Sequence, residues 1–455
     1  MIFKNNAFHI YRFQRKIAVI ICFYIFLISI NTKEIASAKA NISNLPELYK
    51  LALKKDIEYQ VAEREYERDK ELFSNTKYRY FPKIYGQAEY RNSDDPMIAE
   101  LYDKYDVEIQ IYNRENNLEE KVNAQKRLAA LIKYHQEKNE LLVRTINTFL
   151  DLLKVKQRLV FENRKIELYK KQICKIETLI KAKYSSMTDR YSLKSEYFQA
   201  LSQQLISYNE YETTKKNIFE NYGKAINDNW IFDKKWGPET VNFKKVNIWQ
   251  AFAKKNNYEI ALAKSEIDAA KANIDRSRAA YAPTVELFGS VEHNTYLDNN
   301  NSSTRDAMAG IRINLVLLNK GITINKIKSS VKEFDLATIK MKAVTQTVTN
   351  KITELFLNVE SHQQLLNSTE HSLEDTKKLY ALLQGDESIG IEDIFRFTTV
   401  QNKVIDLEIE LVDLRFEFIK LYLELKNTSG DLSKNDLTVV QNYFVPASNQ
   451  IKNEN

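Results

Sequence analysis

Residues 279–321, AAYAPTVELFGSVEHNTYLDNNNSSTRDAMAGIRINLVLLNKG, contain the changes of period that decide the fold. A helical pattern that begins near Ile248 runs up to Tyr281 and stops at Pro283, whose ring cannot continue a helix and restricts the residue before it. Beyond the proline the period falls to two. Val285, Leu287, Gly289 and Val291 alternate with Glu286, Phe288, Ser290 and Glu292, and Ala309, Ile311, Ile313 and Leu315 alternate with Gly310, Arg312 and Asn314. Two strands are predicted, at about 284–294 and 307–318, joined by a polar Asn-rich loop from Asp298 to Ser303. One face of each is apolar and the other carries charge or amide. Strands of about ten residues match the ~9–11 that cross a bilayer when tilted, although a half-buried sheet in water would show the same alternation.

The same passage occurs earlier in the chain. A shift of 201 positions places Ala52 on Ala253, Glu58 on Glu259, Ala62 on Ala263, Glu65 on Glu266, Tyr80 on Tyr281 and Pro82 on Pro283. A helical pattern from about Leu45 to Tyr80 therefore stops at Pro82, as its counterpart stops at Pro283. Two more strands follow, at about 83–92 and 105–112, with Ile84, Gly86, Ala88 and Tyr90 on one face and Val107, Ile109 and Ile111 continuing it. Tyr78, Tyr80, Phe81, Tyr102, Tyr105, Tyr281 and Tyr296 fall near strand ends, where an interfacial aromatic girdle is expected. Four strands are too few to close a membrane barrel, and open edges in lipid leave backbone groups unpaired. Insertion therefore requires oligomerisation, with eight strands from two copies or twelve from three.

Each strand pair is followed by an unusually long helical pattern. No Pro or Gly occurs from Glu115 to Lys183, where Leu152, Leu159, Ile166, Ile173 and Ile180 recur every seven residues, nor from Ile322 to Gln384. Val400, Val404, Leu407, Leu411, Leu414, Phe418, Leu421 and Leu425 are spaced alternately by four and three, a coiled-coil seam. A helix of ~70 residues is ~100 Å long, too long for a compact globule, and packs as the stave of a bundle or tube. The hairpin tips fall at 184–189 and 385–393. Thr188 and Ser388 are the expected helix-cap oxygens there, and Asp189 and Asp393 are acids at helix starts, a position the dipole favours.

Composition agrees with this reading: among 455 residues only 9 are Gly and 6 are Pro, while 28% are charged. Lys4, Arg12, Arg15 and Lys16 precede an apolar run from Ile17 to Ile30, then small residues at Ala36, Ala38 and Ala40. This predicts a secretory signal peptide over 1–38, the run being short of the ~20 residues of a spanning helix. Its removal takes five basic residues and one acid, so that 67 and 61 become 62 and 60. A mature chain so near neutrality gives no electrostatic support to a nucleic-acid role. Cys174 is then the lone cysteine, which excludes an intrachain disulfide.

The predicted domains are a first repeat over 39–224, an equatorial linker over 225–247, a second repeat over 248–430 and a tail over 431–455. The linker, with Trp230 and Trp236, is expected to pack with the tail as a belt, and the tail beyond Ser448 to be disordered.

Order, spacing and duplication together make the chain similar to the outer membrane efflux protein (TolC-like) family over nearly all of the mature sequence. The segments that carry the resemblance are Tyr258-Glu259-Ile260-Ala261-Leu262-Ala263 through Ala279-Ala280-Tyr281-Ala282-Pro283, and Gly310-Ile311-Arg312-Ile313-Asn314 to Leu317-Leu318-Asn319-Lys320-Gly321. The tips Met187-Thr188-Asp189 and Ile391-Glu392-Asp393-Ile394, and the helix ends at Gly223 and Gly430, belong with them. The resemblance implies a mainly α protein of long α-helical hairpins forming a periplasmic α-barrel, with four β-strands per protomer completing a twelve-stranded outer-membrane β-barrel in a trimer. It implies three further partners: a periplasmic adaptor protein, an inner-membrane transporter of RND, ABC or MFS type, and outer-membrane lipid. It also implies an entrance gate at Glu392, Asp393 and Arg396, with Arg396 standing where the family's second acid is expected. Adaptor-contacting tips are implied at Ser186, Met187, Thr188, Asp189, Ser388, Ile389 and Gly390, and helix-to-strand junctions at Pro82 and Pro283. Gln110 and Val316 occupy places where the family usually has proline.

Other classes find less support. The histidines, His9, His135, His293, His362 and His371, form no ligand-spaced cluster, and no phosphate loop or nucleophile motif occurs, so no enzyme, cofactor or metal is expected. A periplasmic coiled-coil adaptor, the alternative within the same kind of pump, needs one hairpin between Gly-rich β modules rather than two full repeats with strands.

Overall fold

The computed structural model describes residues 42–92, 99–233, 236–237, 245–296, 302–385 and 391–447. The predicted signal peptide, the tip residues Ser388, Ile389 and Gly390, and the tail beyond Ser448 lie outside the described residues.

The chain begins with α1 (Leu45–Lys55) and α2 (Ile57–Leu72), a 3-10 turn (Asn75–Tyr80), strands β1 (Lys83–Asn92) and β2 (Ala99–Asn113), and the helices α3 (Arg114–Lys181) and α4 (Met187–Tyr222). After β3 (Trp230–Phe232) come α5 (Val246–Asn256), α6 (Tyr258–Arg278), a 3-10 turn (Ala279–Tyr281), β4 (Thr284–Tyr296), β5 (Ser303–Asn314), α7 (Ile322–Gly385) and α8 (Ile391–Ser429). The short α9 (Asn435–Gln441) and β6 (Phe444–Pro446) end it.

Each first helix of a repeat, continuous in the sequence pattern, is broken in the structure. Asp56 and Asn257, 201 positions apart, adopt extended backbone, and their side chains accept the N–H of Tyr59 and Ile260 at 2.9 and 3.0 Å. A short acceptor that satisfies an orphan donor starts a new helix, and apolar periodicity alone does not register the break.

Strand limits also differ from the pattern. β2 begins at Ala99 because its pairing with β1 extends to Asn92, whereas Asp103 interrupts the apolar alternation. β5 ends at Asn314, opposite Thr284. Leu315–Leu318 fall outside it because the residue before Thr284 is Pro283, which has no N–H for a ladder. A bulge at Ile111, between the pairs Gln110↔Glu286 and Tyr112↔Val285, turns Tyr112 rather than Ile111 to the apolar face.

Near the sheet the helices lie in the order α2–α3–α6–α7, and towards the tips in the order α4–α3–α8–α7. The coiled-coil seam of α8 is its buried side: Val404, Leu407, Leu411, Phe418 and Leu425 are buried. At mid-length, β3 pairs with β6 through Trp230↔Pro446, Ile231↔Val445 and Phe232↔Phe444. The Phe232 ring lies 4.8 Å from Phe416 and 4.7 Å from Phe444, and Trp236 lies 5.1 Å from Phe232. The linker and tail thus share one core with α3 and α8.

Candidate functional site

β1, β2, β4 and β5 form one antiparallel sheet in that order, leaving β1 and β5 as its edges. Register carries the alternation across all four strands. One face has the rows Ile84–Val107–Gly289–Ala309 and Gly86–Tyr105–Val291–Ala307, with Ile109–Leu287–Ile311 beside them. The next row, Ala88–Asp103–His293–Arg305, is polar and ends the band. From Val285 to Val291 the band is ~20 Å long at ~3.4 Å per residue. The exposed Tyr80, Phe81, Leu317 and Leu318 extend it at the helical end. Apolar surface this continuous in water marks a membrane or protein interface.

The opposite face is charged. On it β1 contributes Glu89 against Lys83 and Arg91, and β2 contributes Glu100, Asp106 and Glu108 against Lys104. β4 adds Glu286 and Glu292, and β5 adds Asp306 against Arg312, an excess of three acids. Of the expected girdle, Tyr78, Tyr80, Phe81 and Tyr281 are exposed at the helix-to-strand junctions. Tyr105 instead packs on Gly86 at mid-strand, 3.5 Å from the place of a Cβ there, and Tyr102 lies on the charged face under Arg91.

Pro82 and Pro283 each stand between a 3-10 turn and a strand. The first junction is clamped by charge. Arg79 donates to both carboxylate oxygens of Glu119 and to Asn116 at 2.7 Å, and Arg276 approaches Glu119 to 3.8 Å. The Arg79 hydrogen bonds hold the Glu119 carboxyl below its ordinary pKa. Since its folded value is depressed, this contribution is full above the unfolded value of ~4.3 and is lost as pH falls through the folded one. Glu119→Gln is expected to cost about 1–2 kcal/mol at pH 7. In urea titrations the difference from the parent should shrink progressively as pH is lowered below ~4.3, as Glu119 protonates; an equal loss at neutral and acid pH would refute the ionic account. No sequence motif flagged Arg79 and Glu119, whose pairing depends on the 3-10 turn.

At the first tip the chain reverses through Lys183 with φ 64. Ser186, not Thr188, caps α4: its Oγ accepts the Asp189 N–H at 3.2 Å, and the Asp189 carboxylate accepts the Ser186 N–H at 2.9 Å. Thr188 lies one residue inside the helix, so the box is read from Ser186 to Asp189. The Ser186 N–H holds the Asp189 carboxyl below its ordinary pKa. Met187 is exposed beside it. At the second tip, Glu392 and Asp393 lie in the first turn of α8 and Arg396 one turn on, exposed.

Among the described residues both lateral borders of the chain are open. One runs along β1, α2 and α4, and the other along β5 and α7. On α4 the exposed Tyr191, Phe198 and Leu205 keep a seven-residue spacing on the side away from α3, with the exposed Phe219 two such steps further on, and on α7 Leu336, Ile339, Leu357, Leu379 and Leu382 are exposed.

Residues 251–430, which include α6, β4, β5, α7 and α8, match the family model described as outer membrane efflux protein. Over those residues the chain is similar to the outer membrane efflux protein family. It is 18% identical over 403 residues to the outer membrane protein TolC of Vibrio cholerae, covering 87% of this chain and 92% of that one. The proteases secretion protein PrtF of Dickeya chrysanthemi is 17% identical over 71% of each chain. Among solved structures, the outer membrane protein VceC of Vibrio cholerae superposes with a TM-score of 0.67 at 12% identity, covering 85% of this chain and 96% of that one. The fold shared with VceC therefore extends over 85% of this chain, well beyond residues 251–430.

Proposed function

We infer that this protein is an exit duct in the outer membrane with a long periplasmic extension, passing substrates delivered from an inner-membrane transporter. The observation that carries the reading is the in-register apolar face of a four-stranded sheet continuing directly into staves of 68 and 64 residues.

The open borders support closure by copies of the same chain. β1 of one protomer offers unpaired backbone to β5 of the next, and the aromatic stripe of α4 faces α7 of the same neighbour. Such heterologous contacts form a ring when the rotation closes. Three copies give twelve strands, within the range of membrane barrels, with the charged face inward and no exposed edge. The tips, including Ser186, Met187, Thr188 and Asp189, are the surface proposed for a periplasmic adaptor. A transporter of RND, ABC or MFS type supplies the energy.

At the entrance, intersubunit pairing of Asp393 with Arg396 is the proposed closed-state latch. Arg396→Ala is expected to raise the leak conductance of single pores several-fold, because a partly exposed ion pair of about 1 kcal/mol or less, present three times, is removed; unchanged conductance refutes the latch.

The test of the main reading is single-channel recording of the purified mature protein in a planar bilayer, with its oligomeric mass measured in detergent. Discrete pores from a trimer are expected. A monomer without conductance rejects the barrel.

A further inference from the structure

We propose that the charged face of the sheet is the charge filter of the duct, so that selectivity for cations is set in the barrel rather than at the periplasmic mouth. The inference rests on the barrel reading above.

Three features support it. First, the excess of acid lies on one face only; the row that ends the apolar face sets Asp103 against Arg305, with His293 3.4 Å from Asp103. Second, the bases on the charged face are largely neutralised in place. Lys104 lies 3.0 Å from Glu292 and 3.5 Å from Asp106, Arg91 2.8 Å from Glu89, and Arg312 3.8 Å from Glu108. Asp306 has no ion-pair partner among the described residues, so the surplus negative field is not cancelled locally.

Third, Glu292 and Asp306 stand directly opposite each other on β4 and β5. Like charges at opposed positions weaken a strand pair, and a neutral residue at either place would relieve the repulsion. Lys104 offsets the charge of Glu292 from the β2 side, whereas Asp306 has no such partner among the described residues, so its carboxylate adds to the negative field and not to the strand pair. With three chains the excess is repeated around one aqueous channel whose walls have low dielectric constant, an arrangement that concentrates counter-ions. At the mouth, by contrast, Asp393 and Arg396 bring both signs to one turn of α8. Cationic and neutral solutes should therefore pass the barrel more readily than polyanions.

The decisive experiment measures reversal potentials of the trimer in planar bilayers under a KCl gradient. Potassium is expected to be preferred over chloride several-fold near 0.1 M salt, with the preference fading near 1 M, where the screening length falls to ~3 Å. Glu292→Gln combined with Asp306→Asn should lower the permeability ratio at least about twofold, and Asp306→Lys should move it further towards chloride, both without change in oligomeric mass. Conducting trimers that show no preference at low salt, or a ratio that follows Arg396→Ala and ignores the sheet variants, would overturn the inference and leave the barrel standing. Absence of pores would overturn the barrel reading and this inference together.

Discussion

Gly430→Ala is expected to cost at least ~3 kcal/mol, whereas Gly223→Ala, at the corresponding end of the first hairpin, should cost only ~1–2. Both glycines terminate long helices in the left-handed region, at φ 76 and 71, and an L side chain there carries the conformational penalty at either site. They differ in what a methyl group would meet. At Gly430 a Cβ would lie 2.5 Å from the carbonyl oxygen of Asn256 and 2.7 Å from its carbon, while at Gly223 nothing lies within 4 Å. The close approach is fixed by the break between α5 and α6, where the side-chain amide of Asn257 donates to the carbonyl of Thr428 at 2.8 Å. Backbone on both sides cannot yield as a flexible side chain would. Urea midpoints of the two variants provide the check, and equal losses would contradict the packing argument.

The second large effect is expected at the belt. Phe444 is buried and touches Phe149 on α3 at 6.0 Å, Phe232 on β3 at 4.7 Å and Phe416 on α8 at 5.8 Å between ring centroids. Truncation leaves a cavity whose lining comes from three separate segments, so collapse cannot fill it, and Phe444→Ala should cost ~3–5 kcal/mol. Val439, exposed on the neighbouring α9, is the matched control, with a change within ~0.5 kcal/mol for alanine. Thermal unfolding followed by near-ultraviolet circular dichroism reads both.

How much of this was legible in the chain follows from the range of each interaction. Period two after Pro82 and Pro283 and seven-residue spacing without Gly or Pro are properties of residues near one another and predict strands and long helices, while the shift of 201 positions repeats the first pattern and predicts a duplication. Ser186 rather than Thr188 is the cap, and the local signal for it is the spacing Ser186-x-x-Asp189, which Thr188, next to Asp189, lacks. Leu315 continued the alternation on paper, yet the strand ends at Asn314 because its partner β4 begins at Thr284. A strand's length belongs to the pair.

The sequence by itself determined where helices and strands lie to within several residues, that each strand has one apolar face, and that four strands per chain are too few to close a membrane barrel, since these depend on local sterics and on the sorting of apolar from polar side chains. Only the tertiary structure decided the strand order β1–β2–β4–β5, which sets Glu292 against Asp306 and leaves β1 and β5 open. It alone decided that Arg79 meets Glu119, and that one of two equivalent glycines is pressed against Asn256 while the other faces solvent. Those outcomes rest on contacts between segments far apart in the chain, and no local pattern encodes which distant segment arrives.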